Sequence, residues 1–204
     1  MTTAAGLKLT ISSDVEKVNL ERYARYLSWI PDYAGYFVSP AGREHYKLLS
    51  FLTAQLPNGS KVADLGTLYG SSALALATNL GCRVVTYDIE DHVKCLVPSV
   101  RYFSNVELRV RDCVSSLDEY LDSLLILLDI DPHDGVQERI IVDKMIEKRY
   151  RGIVVCDDIN LNAGMREFWH RVALEKHDVT RFGHWSGTGI IVFDPSHVSV
   201  RISG

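Results

Sequence analysis

Two stretches of the 204-residue chain end an aliphatic run on a group of acids. One is Leu127-Leu128-Asp129-Ile130-Asp131-Pro132-His133-Asp134, the other Val154-Val155-Cys156-Asp157-Asp158-Ile159-Asn160. Carboxylates held within a few ångströms repel one another unless some are protonated or a cation lies among them. Oxygen donors with room for water and substrate suit Mg²⁺ or Mn²⁺, and also Ca²⁺, better than zinc. Two histidines stand where they could handle a proton beside such a site. His133 follows the first acidic group, and His184 lies in the turn-rich Gly183-His184-Trp185-Ser186-Gly187. His45, His92, His170 and His177 read as surface or packing groups; His45 follows Glu44 in an expected helix but carries no specific sign of a role.

A second pattern lies upstream, in Val62-Ala63-Asp64-Leu65-Gly66-Thr67-Leu68-Tyr69-Gly70-Ser71-Ser72. It has the form of a strand, a glycine turn and a helix start. Gly66 would let the backbone approach a ligand closely, and Gly70 would let the helix begin tightly against it. The spacing is not Gly-x-Gly-x-x-Gly and no Lys-Ser/Thr follows, so a pyrophosphate cradle is disfavoured. Asp64 would also repel a phosphate and suits a cationic ligand. Tyr87-Asp88 then closes the next apolar run on a carboxylate, where a ribose diol is held in nucleotide-binding sheets.

The elements that must carry these residues alternate in type. Strands are expected at Lys61–Asp64, Arg83–Asp88, Val106–Arg111, Leu124–Leu128 and Gly152–Cys156, with helices at Ser71–Leu80, around Val93–Phe103, at Val136–Arg149 and at Met165–Glu175. Such alternation specifies an α/β fold with a doubly wound, mostly parallel sheet. Two last strands, near Val179–Phe182 and Gly189–Asp194, leave no room for a helix between them and must form an antiparallel hairpin. That makes seven strands. Ligands of open α/β sheets bind beyond the carboxyl ends of the strands, so the glycine turn and both acidic groups converge on one rim. Ahead of this core, residues 1–56 read as a helical cap or lid on the core at 57–204, within one domain. Ser13 to Glu16 has the form of a capping box opening a helix to about Trp29, Pro31 to Ser39 breaks it, and a second helix runs from Glu44 to Leu56.

These residues resemble motifs I and II of the class I S-adenosylmethionine-dependent methyltransferases, a Rossmann-like fold with this same hairpin ending. The resemblance covers about Lys61 to Asp194. It implies that Asp64, Gly66, Thr67 and Gly70, with Ser71 and Ser72 at the helix start, line the methionine end of S-adenosylmethionine. Asp88 would bind the ribose hydroxyls, and Asp112 falls where the family contacts the adenine amino group. The acidic groups narrow the likeness to the metal-dependent small-molecule O-methyltransferases, including the catechol, macrolide-sugar and cephalosporin-hydroxylase-like branches. Asp129 matches the metal carboxylate after strand four, and Asp157 and Asp158 match the pair after strand five. His133 lies where the sugar-modifying branch has a histidine base. Pro132 departs from the Asp-x-x-His and Asp-x-Asp-His patterns of that branch, which leaves Asp129 and Asp131 as alternative metal ligands; His133 and His184 stand as alternative bases.

Composition is that of an ordinary globular domain. The chain is 47% hydrophobic and 24% charged, with a net charge of −4 from 22 basic and 26 acidic residues. No basic footprint for a nucleic acid exists, and no apolar run reaches the roughly 18 residues of a membrane span. Cys82, Cys95, Cys113 and Cys156 are scattered and read as reduced core residues. With a start, Met1 to Thr10, that lacks the pattern of a secretory leader, the expected location is the cytoplasm. The expected function is methyl transfer to a hydroxyl of a small molecule, and the amphipathic N-terminal helices suit a homodimer. Two other readings are weaker. A hydroxylase-like chemistry lacks the His-x-Asp/Glu signature of an iron facial triad. A silent partner subunit has no reason to keep converging acids.

Overall fold

Every residue of Leu125–Leu128 and Ile153–Asp157 is buried, as strands covered on both faces require. The computed structural model describes residues 6–28, 30–91 and 103–203. Its elements run β1 (Leu7–Ile11), α1 (Glu21–Ala24), α2 (Pro31–Val38), α3 (Tyr46–Thr53), β2 (Lys61–Leu65), α4 (Ser71–Leu76), β3 (Arg83–Asp88), β4 (Val106–Val110), β5 (Leu125–Leu128), α5 (Val136–Glu147), β6 (Ile153–Asp157), α6 (Ala163–Arg171), β7 (Glu175–Asp178), β8 (Thr188–Val192) and β9 (Val198–Ile202). The helix expected around Val93–Phe103 falls almost wholly outside the described residues.

Seven strands form one sheet in the order β4-β3-β2-β5-β6-β8-β7. Neighbours are parallel except at β8, which is antiparallel to β6 and to β7. The chain moves outward from β2 through β3 to β4, then returns to lay β5 against the other side of β2. The order therefore reverses between β2 and β5, and the carboxyl ends of these strands open a crevice there.

Side-chain alternation assigns the two faces. Val62, Val84, Leu125, Leu127, Ile153 and Val155 share one core with residues of α3, α4 and the N-terminal segment. Ala63, Val85, Ile126, Leu128, Val154 and Cys156 share the other with residues of α5 and α6. The period of two has a consequence for the site. Continued past the last apolar residues, Asp129 and Asp157 follow Leu127 and Val155 onto the face covered by the N-terminal segment.

That segment and the end of the chain differ most from expectation. Residues 13–27 form short pieces, a 3₁₀ turn at Ser13–Lys17, α1, and another 3₁₀ turn at Arg25–Leu27, in place of one helix. Ser12, not Ser13, is the cap, accepting from the Asp14 amide at 3.2 Å. Pro31 opens α2 at its first turn, where its missing N–H costs nothing, so the stretch expected as a break is helical. Strand β7 is the polar Glu175-Lys176-His177-Asp178 at the sheet edge, whereas Thr180–Phe182 is a 3₁₀ turn. Outside the main sheet β1 pairs in parallel with β9, tying the N-terminal segment to the far end of the chain.

Candidate active site

The turn after β2 is shaped by contact with the end of β5. Gly66 has φ +101°, and a Cβ there would overlap the backbone carbonyl of Asp129. The Gly66 and Thr67 amides both donate to the Tyr87 carbonyl, at 2.9 and 3.1 Å. Gly70, at φ +78°, caps α4 in the left-handed region. Asp88 accepts from the Leu68 amide at 2.8 Å and the Glu90 amide at 3.1 Å, which fixes its carboxylate at the rim. Asp112 is likewise held by the Val114 amide at 2.9 Å.

A cavity of about 910 Å³ opens over this turn and reaches the acids at the ends of β5 and β6. Of the residues expected at the site, Gly66, Thr67, Ser71, Ser72, Asp88, Asp112, Asp129, Asp131, His133, Asp157, Asp158 and His184 line it. Asp64 and Gly70 do not. Asp64 is fully buried behind the wall, accepting from Thr86 Oγ1 at 2.6 Å and Ser72 Oγ at 3.1 Å. It supports Ser72, which lines the cavity, and is not itself part of the lining. Between the two alternatives after β5, Asp129 turns into the acid group, whereas the Asp131 side chain is 92% exposed.

Two residues absent from the expected site complete it. Glu44 and His45, just before α3, are buried against the same acids. His45 Nδ1 lies 3.2 Å from Asp157 Oδ1 and Nε2 lies 3.9 Å from Asp129 Oδ2. His184 approaches from the opposite side, with Nδ1 3.1 Å from Asp158 Oδ1 and 3.4 Å from Asp157 Oδ2. His133 stands 3.6 Å from Asp129 and 3.7 Å from Asp158. Among the described residues, four that are not glycine have positive φ, and three of them, Leu68, His133 and Asp158, line this cavity. Left-handed backbone is costly for side-chain-bearing residues and gathers where geometry serves a site.

The electrostatics follow from burial of opposite charges together. Burial alone would lower the His45 pKa, yet the Asp157, Glu44 and Asp129 carboxylates raise it to about 10. His184 is also raised to about 10, by Asp157 and Asp158 against the effect of its burial. Asp157 is held well below the usual carboxylate range because the two imidazoles outweigh its burial. Burial and the Asp157 carboxylate push Asp129 well up. The group as a whole demands positive charge.

Asp64 gives a testable consequence. Burial raises its pKa to about 6, against the hydrogen bonds from Thr86 and Ser72 that favour the ionised form. A carboxyl whose pKa is higher folded than unfolded favours the fold fully below the unfolded value of 3.8, and this contribution is lost as pH rises through about 6. Asp64→Asn is expected to remove a pH-dependent stability difference on the order of 3 kcal/mol between pH 4 and pH 7. Chemical denaturation of both proteins across that range checks it; parallel pH profiles would overturn it.

No protein-family model and no curated protein matches the chain. Its structure is similar to that of a Staphylococcus aureus protein provisionally assigned as a caffeoyl-CoA O-methyltransferase, with TM-score 0.61, 10% identity, and 88% of this chain and 95% of that one covered. A methyltransferase from Geobacter sulfurreducens is similar at TM-score 0.54 and 18% identity, covering 73% and 77% of the two chains. A precorrin-6y C5,15-methyltransferase from Geobacter metallireducens is similar at TM-score 0.54 and 14% identity, covering 72% and 85%. The likeness is one of fold: this chain's seven-stranded sheet is built on the Rossmann-like plan of the class I S-adenosylmethionine-dependent methyltransferases.

Proposed function

We propose that the protein transfers a methyl group from S-adenosylmethionine to a hydroxyl of a small molecule, assisted by a divalent ion. The observation that carries this reading is one cavity shared by the turn after β2, the Asp88 carboxylate and the three acids Asp129, Asp157 and Asp158. The glycine turn and Asp88 suit a nucleoside ligand, with the free lone pairs of Asp88 available to a ribose diol. Asp112, which lines the same cavity, would meet the adenine amino group. The acids suit a cation, because a set of carboxylates this close is electrostatically unfavourable without positive charge among them. Asp157 would hold the ion, joined by Asp129 in one group of ligand-capable atoms and by Asp158 in another. When bound, S-adenosylmethionine supplies an electrophilic sulfonium methyl and the ion supplies Lewis acidity toward the acceptor oxygen.

The chain's own residues then orient the acceptor and take its proton. His133 is the base this geometry favours, because its ring stands at the cavity wall beside the acids. His184 is packed between Asp157, Asp158 and Ser186, with its Nδ1 2.7 Å from Ser186 Oγ. Alignment of two bound reactants supplies most of the acceleration. Tyr33 and Tyr69, with ring centroids 5.1 Å apart, line the same cavity. A net charge of −4 argues for a small acceptor over a polyanion. No helix among the described residues is long and apolar enough to cross a membrane.

Calorimetry with S-adenosylhomocysteine tests the cofactor half of the proposal. Wild-type protein is expected to bind it. Asp88→Ala is expected to weaken binding roughly 10- to 100-fold, the equivalent of losing hydrogen bonds to a charged group. No binding by wild type, or unchanged binding by the variant, refutes the assignment. Methylated product from a panel of hydroxylated small molecules, lost on adding EDTA, tests the remainder.

A further inference from the structure

We propose that His45 is a metal ligand, joining Asp129 and Asp157 in a mixed imidazole–carboxylate centre that prefers a transition ion to Mg²⁺. The inference rests on the metal-assisted reading above and changes what kind of ion that reading requires. His45 is 3% exposed, and neither ring nitrogen makes a hydrogen bond. Buried polar atoms nearly always find a partner. Here Nδ1 lies 3.0 Å from Glu44 Oε1 and 3.2 Å from Asp157 Oδ1, close to both yet aligned with neither.

The ring is held in place by its surroundings. It packs edge-on against Tyr46, centroids 5.0 Å apart, and stands perpendicular to His184 at 6.2 Å. One donor atom each from His45, Asp129 and Asp157 lie within 4.8 Å of one another, and the same holds for Asp157, Asp158 and His184. Asp157 belongs to both groups. An imidazole therefore faces the acids from either side of Asp157, one from the N-terminal segment and one from the loop before β8. Imidazole nitrogen suits Fe²⁺, Co²⁺, Ni²⁺ or Zn²⁺, whereas carboxylate and water oxygens suit Mg²⁺ and Ca²⁺. All-oxygen chemistry, as expected from the two acidic runs alone, leaves the imidazole of this donor set out.

The test uses the full chain, stripped with a chelator and reloaded with single metals. Pulsed electron paramagnetic resonance of the Mn²⁺ form is expected to show directly bound imidazole nitrogen. That coupling should diminish in His45→Gln and persist in His184→Gln. Calorimetry is expected to find Co²⁺ bound about 100-fold more tightly than Mg²⁺, as nitrogen donors dictate. Nitrogen coupling absent from the wild type, or equal in wild type and His45→Gln, would show His45 to be a protonated counter-ion only and overturn the proposal. Should His45→Gln fail to fold, His184→Gln decides alone, since loss of all nitrogen coupling there leaves no ligand role for His45. Mg²⁺ binding as tightly as Co²⁺ also overturns it. S-adenosylhomocysteine titrated into the same preparations keeps the two readings apart: its failure to bind sinks methyl transfer, whereas the nitrogen signal alone judges His45.

Discussion

Asp157→Asn is expected to lower methyl transfer by about 10³-fold or more, the loss of the several kcal/mol that a Lewis acid contributes to the transition state. S-adenosylhomocysteine affinity should stay within about threefold of wild type, because the nucleoside end proposed above is formed by Asp88 and Asp112, at the ends of β3 and β4, and not by β6. Asp157 is the one side chain shared by both groups of ligand-capable atoms, and it is 4% exposed between His45 and His184. Thr188 Oγ1 also donates to it, at 3.4 Å. Asparagine keeps its shape and removes its charge, which makes it the better probe. Asp157→Ala would leave two imidazoles facing a cavity, and breaking a buried ion pair costs about 3–5 kcal/mol of stability. Initial rates of the two proteins with metal and with EDTA decide the matter. Full activity of Asp157→Asn, or of wild type in EDTA, would remove the metal from the mechanism.

The same residues show how far the site was legible in the sequence. Asp129, Asp157 and Asp158 could be placed at one rim because Leu125–Leu128 and Ile153–Cys156 are unbroken aliphatic runs, which form central parallel strands. Parallel strands end side by side, so adjacency followed from local pattern plus one topological rule. Asp88 and Gly66 were legible for the same reason. His45 was not, because Asp129 and Asp157 lie more than 80 residues away in sequence and nothing local marks it. The only trace was a pair of ionisable residues, Glu44 and His45, directly before the apolar run that becomes α3. Which face of the sheet α3 covers is a tertiary fact, settled by the packing of Leu48, Leu49 and Leu52 on Val62 and Val155 and their neighbours.

A similar division separates the strands. Leu7, Leu9 and Ile11 alternate with polar residues, as do Val198, Val200 and Ile202, so the period of two was present in both segments. Their pairing spans almost the whole chain, and no local rule predicts a partner at that distance. At β7 the local pattern misleads. Glu175-Lys176-His177-Asp178 is charged because an edge strand is protected from unwanted pairing by charge. The apolar Val179 and Phe182 beside it are buried by a 3₁₀ turn and not by a strand. Asp64 shows a third limit: the motif identified it as important, but only packing shows that it props Ser72 and leaves the cavity wall to others.

His133→Ala is expected to reduce kcat by about 10²- to 10⁴-fold, the usual contribution of a positioned general base, with little change in KM or in metal affinity. The expectation comes from how the ring is presented. The His133 backbone is held at φ +52°, and Asn162 Nδ2 donates to its carbonyl at 2.6 Å, so the loop after β5 is pinned to the loop after β6. This aims the imidazole along the cavity wall, 3.6 to 3.7 Å from Asp129, Asp131 and Asp158 and outside both groups of candidate ligands. A base must reach the acceptor's proton without being tied up by the acids, and His133 meets that condition better than His184, which packs 3.1 Å from Asp158 and 3.4 Å from Asp157. The two histidines should therefore separate by measurement. His133→Ala should lose rate and keep metal, with activity partly restored by added imidazole or by raising the pH, since an external base or hydroxide then takes the proton. His184→Gln should keep the ion on His45, Asp129 and Asp157, and added imidazole should not restore any rate it loses. If His133→Ala instead retains activity within about threefold of wild type, the acceptor's proton leaves by another route.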